Sequence, residues 1–420
     1  MNAARTLSLR YGRGWLDCAL PAHAVLLEPR EPPPETSHAA FRSGLGRLLP
    51  HPLPSGPIVI VVADQTRLCG YPTVLPWLVE ILREHGAARS RITFLIAYGT
   101  HVPQSETESL AAYGPIYMDF PFIHHHCSAP TRFTELGQTS RGTPVRIRAE
   151  LVEAGLIVTV GAISHHYFAG FGGGRKLLFP GLGEREAIYA NHRLFLDHQH
   201  HSLASGCRPG QVAGNPLAED LAEIDYLLPP YLSIHGLLDS RGQVVAHRFG
   251  ATYADFLAAC QEHDALYRLN IARPYDLVMA SAGGFPKDIN LIQAHKAIDN
   301  GAAFVRDGGS LILLAECGDG LGSSTFLPYF EMGGPQAAFR HLAQHYSGNG
   351  GTALALMAKT GRIRIGLVTA LDSALCHRLG MAKISLEQEQ PRIMAAETVA
   401  VLPNASMLIR KETDGNTPTK

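Results

Sequence analysis

Much that would tie this 420-residue chain to a particular partner or compartment is missing from it. Nowhere does it hold the run of about 18 apolar residues that a membrane-spanning helix needs. Its seven cysteines are odd in number and scattered, with no C-x-x-C pair, which argues against a disulfide framework or a structural zinc site. Charge is balanced, 36 Lys and Arg against 37 Asp and Glu, so no overall field draws the chain to nucleic acid or to an anionic membrane. The opening residues lack the apolar core of a secretory signal. These gaps predict a cytoplasmic protein with neither a nucleic-acid nor a membrane partner. Two nucleotide fingerprints are also broken: G-x-G-x-x-G would need glycine where Arg175 stands, and the G-K-[ST] of a P-loop is replaced by Arg175-Lys176-Leu177.

What is present is a series of short apolar runs, each followed by a helical pattern, as buried parallel strands and crossover helices appear in sequence. Ile58 to Ala63, Ile92 to Ala97 and Leu156 to Val160 read as strands, with helices over Thr73 to His85 and from Ser105 onward. Past the proline-containing stretch Ile271 to Pro274 the alternation restarts with Leu277 to Ala280, a helix over Asn290 to Val305, Leu311 to Leu314 and Ile363 to Val368. The expected fold is α/β, with two domains each built on a mainly parallel Rossmann-like sheet and the active site in the cleft between them. The first domain is expected over 1–272 and a smaller one over 273–402, with a polar tail over 403–420 returning to the first.

Ligands of open α/β sheets sit beyond the carboxyl ends of the strands, so the residues there decide the chemistry. Asp64-Gln65-Thr66-Arg67 follows the first run and joins a carboxylate, a hydroxyl and a guanidinium fork suited to a substrate carboxylate. Tyr98-Gly99-Thr100-His101 follows the second and offers an imidazole able to exchange protons near neutral pH. The third leads into His165-His166 and a stretch with four glycines in five positions (Gly170, Gly172, Gly173, Gly174), then Arg175-Lys176 and, further on, Asn191-His192. In the second domain Gln293 and Lys296, three apart on a helix, can face one site. His124-His125-His126 is set aside as a metal site, since neighbours on a strand point to opposite faces.

In order and spacing these pieces resemble the nickel-dependent lactate racemase family over nearly the whole chain. The landmarks are Asp64-x-Thr66-Arg67, Gly99-Thr100-His101, His166-x-x-Ala169-Gly170-Phe171-x-Gly173-Gly174-Arg175-Lys176, Asn191-His192 and Asn290-Leu291-x-Gln293-x-x-Lys296. The resemblance implies a racemase or epimerase of a small 2-hydroxy acid whose cofactor is a nickel-pincer nucleotide made by separate maturation proteins. It implies that Lys176 carries the cofactor covalently and that His192 ligates nickel. Asp64, Thr66, Gly173 and Gly174 would then cradle the nucleotide, and Arg67, Gln293 and Lys296 would hold the substrate. His101 and His166 would be the acid–base pair that serves the two enantiomers.

Three departures bear on the substrate rather than on the chemistry. Ile292 stands where a tyrosine is expected, no tryptophan occurs around Gly351-Thr352, and Gly172 replaces a serine. Two other readings are weighed. A nicotinamide-dependent 2-hydroxy acid dehydrogenase is disfavoured by the broken fingerprint, and a non-catalytic carrier of the cofactor by the presence of His101, His166 and Arg67 together.

Overall fold

Ile58–Ala63 and Ile92–Ala97 carry one polar side chain at most, and strands of that kind are stable only with both faces covered. The computed structural model of the chain describes residues 4–128 and 131–411. By their contacts these fall into two units, one of Glu31–Phe195 with Ala204–Ala265 and one of residues 4–30, Leu196–Leu203 and 266–411.

The chain opens with an antiparallel hairpin, β1 (Ala4–Tyr11) and β2 (Gly14–Pro21), followed by the short β3 (Val25–Leu26). The first unit then builds a six-stranded sheet from β4 (Ile58–Ala63), β5 (Ile92–Ala97), β6 (Phe122–His124), β7 (Leu156–Ala162), β8 (Leu232–Leu238) and β9 (Val244–Gly250). Their order is β9-β8-β7-β4-β5-β6, parallel except for the outer pair β8–β9. Every residue of β4 is buried. The helices of this unit that matter for the site are α1 (Tyr71–Glu84), α2 (Glu106–Tyr113), α3 (Arg185–His192), α4 (Pro216–Leu227) and α5 (Tyr253–Tyr267). Ser105 caps α2 as its sequence suggests, in a capping box with Glu108.

The second unit carries β10 (Tyr275–Ser281), helix α6 (Leu291–Ala302), β11 (Val305–Leu314), β12 (Arg364–Val368), β13 (Ala382–Lys383) and β14 (Val399–Leu402). The sheet is parallel throughout, in the order β13-β12-β11-β10-β14-β3. Its outermost strand is thus the N-terminal β3, paired as Ala400↔Val25 and Val401↔Leu26. Leu9, Cys18 and Leu20 of the hairpin are buried with Leu277, Met279, Ile312, Leu314, Val399 and Val401. This corrects the expected first domain of 1–272. Residues 4–30 cover an apolar face of the second sheet, which would otherwise lie in water. The tail is corrected in part: Ile409–Arg410 pairs with Arg268–Leu269 inside the second unit, and 412–420 lie outside the described residues.

Tyrosines fix the point where β4 hands over to the site. Tyr71, with no exposed surface, accepts the Ala63 N–H at 2.8 Å and donates to the Val160 carbonyl at 3.0 Å. The Tyr113 hydroxyl donates to the Ala63 carbonyl at 2.9 Å. Both backbone groups of the residue preceding Asp64 are therefore held. Tyr71→Phe leaves the Ala63 N–H and the Val160 carbonyl short of a partner, and should cost about 1–3 kcal/mol in urea unfolding. An unchanged midpoint would show that these bonds do not anchor the strand end.

Candidate active site

The parallel register Ala63↔Ala97 makes β4 and β5 end side by side, so the segments carrying Asp64 and His101 leave the sheet together. Asp64 is 3% exposed, and both its oxygens are engaged. Oδ1 accepts from the Thr66 backbone N–H at 2.8 Å and the Thr66 hydroxyl at 2.5 Å, and Oδ2 lies 2.7 Å from His101 Nδ1. Burial alone would raise the Asp64 pKa, but the His101 hydrogen bond, the charges of His101 and Arg67 and the Thr66 bond outweigh it and hold the carboxyl far below its usual range. An ionised Asp64 keeps the His101 proton on Nδ1 and leaves Nε2 as the basic nitrogen. Asp64 and Thr66, expected to hold the nucleotide, are thus also bonded to each other and to His101. Arg67 donates to the Thr66 hydroxyl at 3.3 Å.

His166 ends a small strand, Ser164–His166, that turns back onto Gly170–Gly172. Side chains alternate along a strand, and the two histidines part accordingly. His165 Nε2 lies 2.8 Å from Asp264 Oδ1 on α5, whereas His166 Nδ1 accepts the backbone N–H groups of Phe168 and Ala169 at 3.2 and 3.1 Å. Gly170 closes the turn at φ +73°, and a Cβ there would come within 2.1 Å of the Gln211 carbonyl oxygen.

The glycine stretch then forms a 3₁₀ turn, Gly174–Leu177, that presents Lys176. Gly173 and Gly174 have φ of +85° and +54°, and a Cβ at either would sit 2.4 Å from the Ala162 carbonyl oxygen or from the Phe256 ring. The space at their Cβ positions is filled by protein, so both positions require glycine for the packing of the turn. Arg175, for which the sequence suggests no role, is 1% exposed and lies over the rings of Phe256 at 4.5 Å and Tyr253 at 5.1 Å. The turn also reaches His101's loop: the Gly181 N–H donates to the Lys176 carbonyl at 3.0 Å, and the Gly99 N–H to the Gly181 carbonyl at 2.8 Å.

His192 closes α3. Its Nδ1 lies 2.9 Å from the Ile188 carbonyl, so Nδ1 carries the proton and Nε2 keeps a lone pair. Burial and the nearby Lys176 charge push the imidazole down to about 4, which leaves it neutral. A neutral ring donating its second nitrogen to a backbone carbonyl is the form a metal ligand takes. The preceding Asn191, fully buried, donates to Asp220 at 2.8 Å, and Asp220 accepts from Thr139 at 2.5 Å.

In the second unit Asn290 caps α6, and Lys296 Nζ donates to Gln293 Oε1 at 2.9 Å, as their spacing suggests. His124 and His125 turn to separate partners, the Tyr98 hydroxyl and the Gly183 carbonyl. Among the described residues no three His, Cys, Asp or Glu side chains gather into a metal-binding group.

Burial also lowers His125 to about 3, and His235 and His247 to about 4. Unfolded, these rings and His192 take up protons near 6.5, so between roughly pH 6.5 and 4 the unfolded chain binds more protons than the folded one. The stability they contribute is complete above that window and is lost as the pH falls through it. The thermal midpoint should drop steadily from pH 6.5 to 4, and a level midpoint would show that these rings are already charged in the fold.

Residues 11–204 match the lactate racemase N-terminal domain and residues 271–346 the lactate racemase C-terminal domain. The chain is 30% identical over 276 residues to the lactate racemase of Thermoanaerobacterium thermosaccharolyticum, covering 65% of this chain and 63% of that protein. To the lactate racemase of Lactiplantibacillus plantarum it is 28% identical over 280 residues, covering 64% and 62%. The alignments thus span less than two thirds of either relative. The structure of the T. thermosaccharolyticum lactate racemase apoprotein superposes with a TM-score of 0.83 at 25% identity, covering 97% of this chain and 100% of that one. A Thermotoga maritima protein shares the fold at a TM-score of 0.69 and 17% identity, covering 91% and 99%. Matched over 11–204 and 271–346 by lactate racemase domains and along nearly its full length by a lactate racemase fold, the chain belongs to the lactate racemase family.

Proposed function

We propose that the protein is an isomerase that interconverts the enantiomers of a small 2-hydroxy acid, lactate or a relative, with a nickel-pincer nucleotide attached at Lys176. The observation that carries this reading is His192. It is a neutral imidazole, fixed by Ile188 so that Nε2 keeps its lone pair, and it stands within the electrostatic reach of Lys176. With a cofactor that brought most of the nickel donors itself, one imidazole is what the protein would add. Lys176 is the covalent anchor in this reading, and His192 the ligand. When bound, the group supplies a reversible hydride acceptor.

The chain's own residues do the rest. Arg67 offers a guanidinium fork to the substrate carboxylate, and the Lys296 ammonium, steadied by Gln293, adds a second cation. His101 takes the hydroxyl proton at Nε2, and the imidazolium formed lies against the Asp64 carboxylate. The planar 2-keto acid that results can turn its other face, and His166 serves the oxygen in that second orientation. Ile292 in place of tyrosine changes the surroundings of the substrate without removing any of these groups. The cofactor is made elsewhere, so maturation proteins are the partners this reading requires, and seven free thiols suit a reducing cytoplasm.

Co-expression with cofactor-making proteins should add mass at Lys176, bring nickel to about one per chain, and yield racemising activity on enantiopure 2-hydroxy acids by chiral chromatography. Lys176→Ala should lose the added mass, and His192→Ala should keep the organic group at Lys176 while its nickel content falls. An unmodified Lys176 under conditions that load the L. plantarum protein would overturn the reading.

A further inference from the structure

Helix α3, which ends in His192, has only eight residues and little stability of its own, so its place depends on what it packs against. Its buried side chains are Ala187, Ile188 and Asn191. The first two are apolar, but the third, next to His192, is an amide. Its Nδ2 donates at 2.8 Å to Asp220 Oδ2, and neither residue has any exposed surface. The other oxygen of Asp220 accepts from the Thr139 hydroxyl at 2.5 Å. Thr139 sits at the tip of the antiparallel hairpin of Phe133–Gln138 and Pro144–Arg148, where the Thr143 N–H donates to its Oγ1 at 3.1 Å.

The same hairpin grips the chain just ahead of α3. The Arg148 N–H donates to the Leu182 carbonyl at 3.1 Å, the Glu184 N–H donates to the Arg146 carbonyl at 3.0 Å, and Ile147 faces Gly183 across an antiparallel bridge. This stretch follows directly on the turn that presents Lys176. Both ends of α3 are therefore tied to one hairpin, the near end by backbone bonds and the far end through Asn191, Asp220 and Thr139. Helix α4, which supplies Asp220, is itself held at its cap, where Asn215 Nδ2 donates to the Phe168 carbonyl at 2.8 Å. Apolar side chains would pack α3 without the desolvation that a buried amide and carboxylate require, and what the polar pair adds is a single register.

Resting on the reading of His192 as the nickel ligand, we propose that Asn191 and Asp220 are positioning residues for it. Neither is a ligand. Their hydrogen bond fixes the rotation of α3 about its own axis, and with it where His192 stands relative to the Lys176 turn.

The test exchanges donor and acceptor. Asp220→Asn sets two amides against each other and Asn191→Asp sets two carboxylates against each other. The double variant Asn191→Asp/Asp220→Asn again has one of each, with an amide oxygen left to accept from Thr139. In the 15N-labelled apoprotein each single variant should shift the His192 ring signals, assigned by their loss in His192→Gln, and the double variant should bring them back. In protein loaded by co-expression, nickel retention is measured against a competing chelator. The single variants should bind nickel about 10–100-fold less tightly, the scale of a lost outer partner of a metal-bound imidazole, and the double variant should recover most of that loss. Where a single variant does not fold, Thr139→Val, which removes one donor to Asp220 and leaves Asn191 in place, should move both readouts in the same direction by less. Urea unfolding of the same variants separates position from stability. Lowered stability with unchanged ring signals and nickel retention, or a double variant that regains stability without regaining nickel, would overturn the proposal. If the wild-type protein takes up no nickel, the functional reading fails. Ring signals that follow the exchange then still uphold the positioning of His192, and signals that ignore it overturn it.

Discussion

Asp64 leaves a strand whose every residue is buried, and a carboxylate taken out of water at such a place needs donors for its lone pairs. It finds them in the turn that follows, through Thr66, and in the loop that leaves the neighbouring strand, through His101. The requirement is local, yet its consequences spread. The Gln65 N–H is tied to Gln104 at 2.9 Å, and Gln104's own N–H is tied to the Tyr98 hydroxyl at 3.2 Å. The loops after β4 and β5 are in effect a single hydrogen-bonded piece, with Ala63 clamped beneath it by Tyr71 and Tyr113. A histidine held this way owes its orientation to the sheet rather than to its own loop.

The lysine turn solves a different problem, that of setting two adjacent basic residues in different surroundings. Arg175 is buried against Phe256 and Tyr253, where its charge is met by ring faces and its stem fills the core. Lys176 lies partly exposed and close enough to lower the His192 pKa. Anchoring by the first residue fixes where the second can go, and the glycines before it let the backbone pack against Ala162 and Phe256 at distances no side chain would allow.

The strands of the central sheets are legible in the sequence because burial on both faces leaves only apolar residues in them, and α2 because Ser105 and Glu108 have the spacing of a capping box. The i, i+3 pairing of Gln293 with Lys296 is legible for the same reason, being local geometry. Contacts between segments distant along the chain are not. Asp64 and His101 are 37 positions apart, and their pairing follows from β4 and β5 being neighbours in register; each residue can be seen to follow a strand, but nothing local to either shows that the two strands are adjacent. The hairpin β1–β2 alternates too weakly to stand out, and that it covers the second sheet depends on residues some 270 positions later, such as Leu277 and Met279. The positive φ of glycines 173 and 174 and their close neighbours Ala162 and Phe256 are likewise not visible in the sequence.

The parallel pairing of β3 with β14 has a bearing on how the chain is made. A ribosome releases Val25 and Leu26 long before their partners Ala400 and Val401 exist, so the N-terminal strand must wait through most of synthesis with its apolar residues uncovered. The unit that runs mostly within Glu31–Phe195 and Ala204–Ala265 meets no such delay and can form while the remainder is still being translated. The early hairpin is thus the stretch of this protein with the longest interval between emergence and burial, and the one with most to gain from a chaperone's shelter.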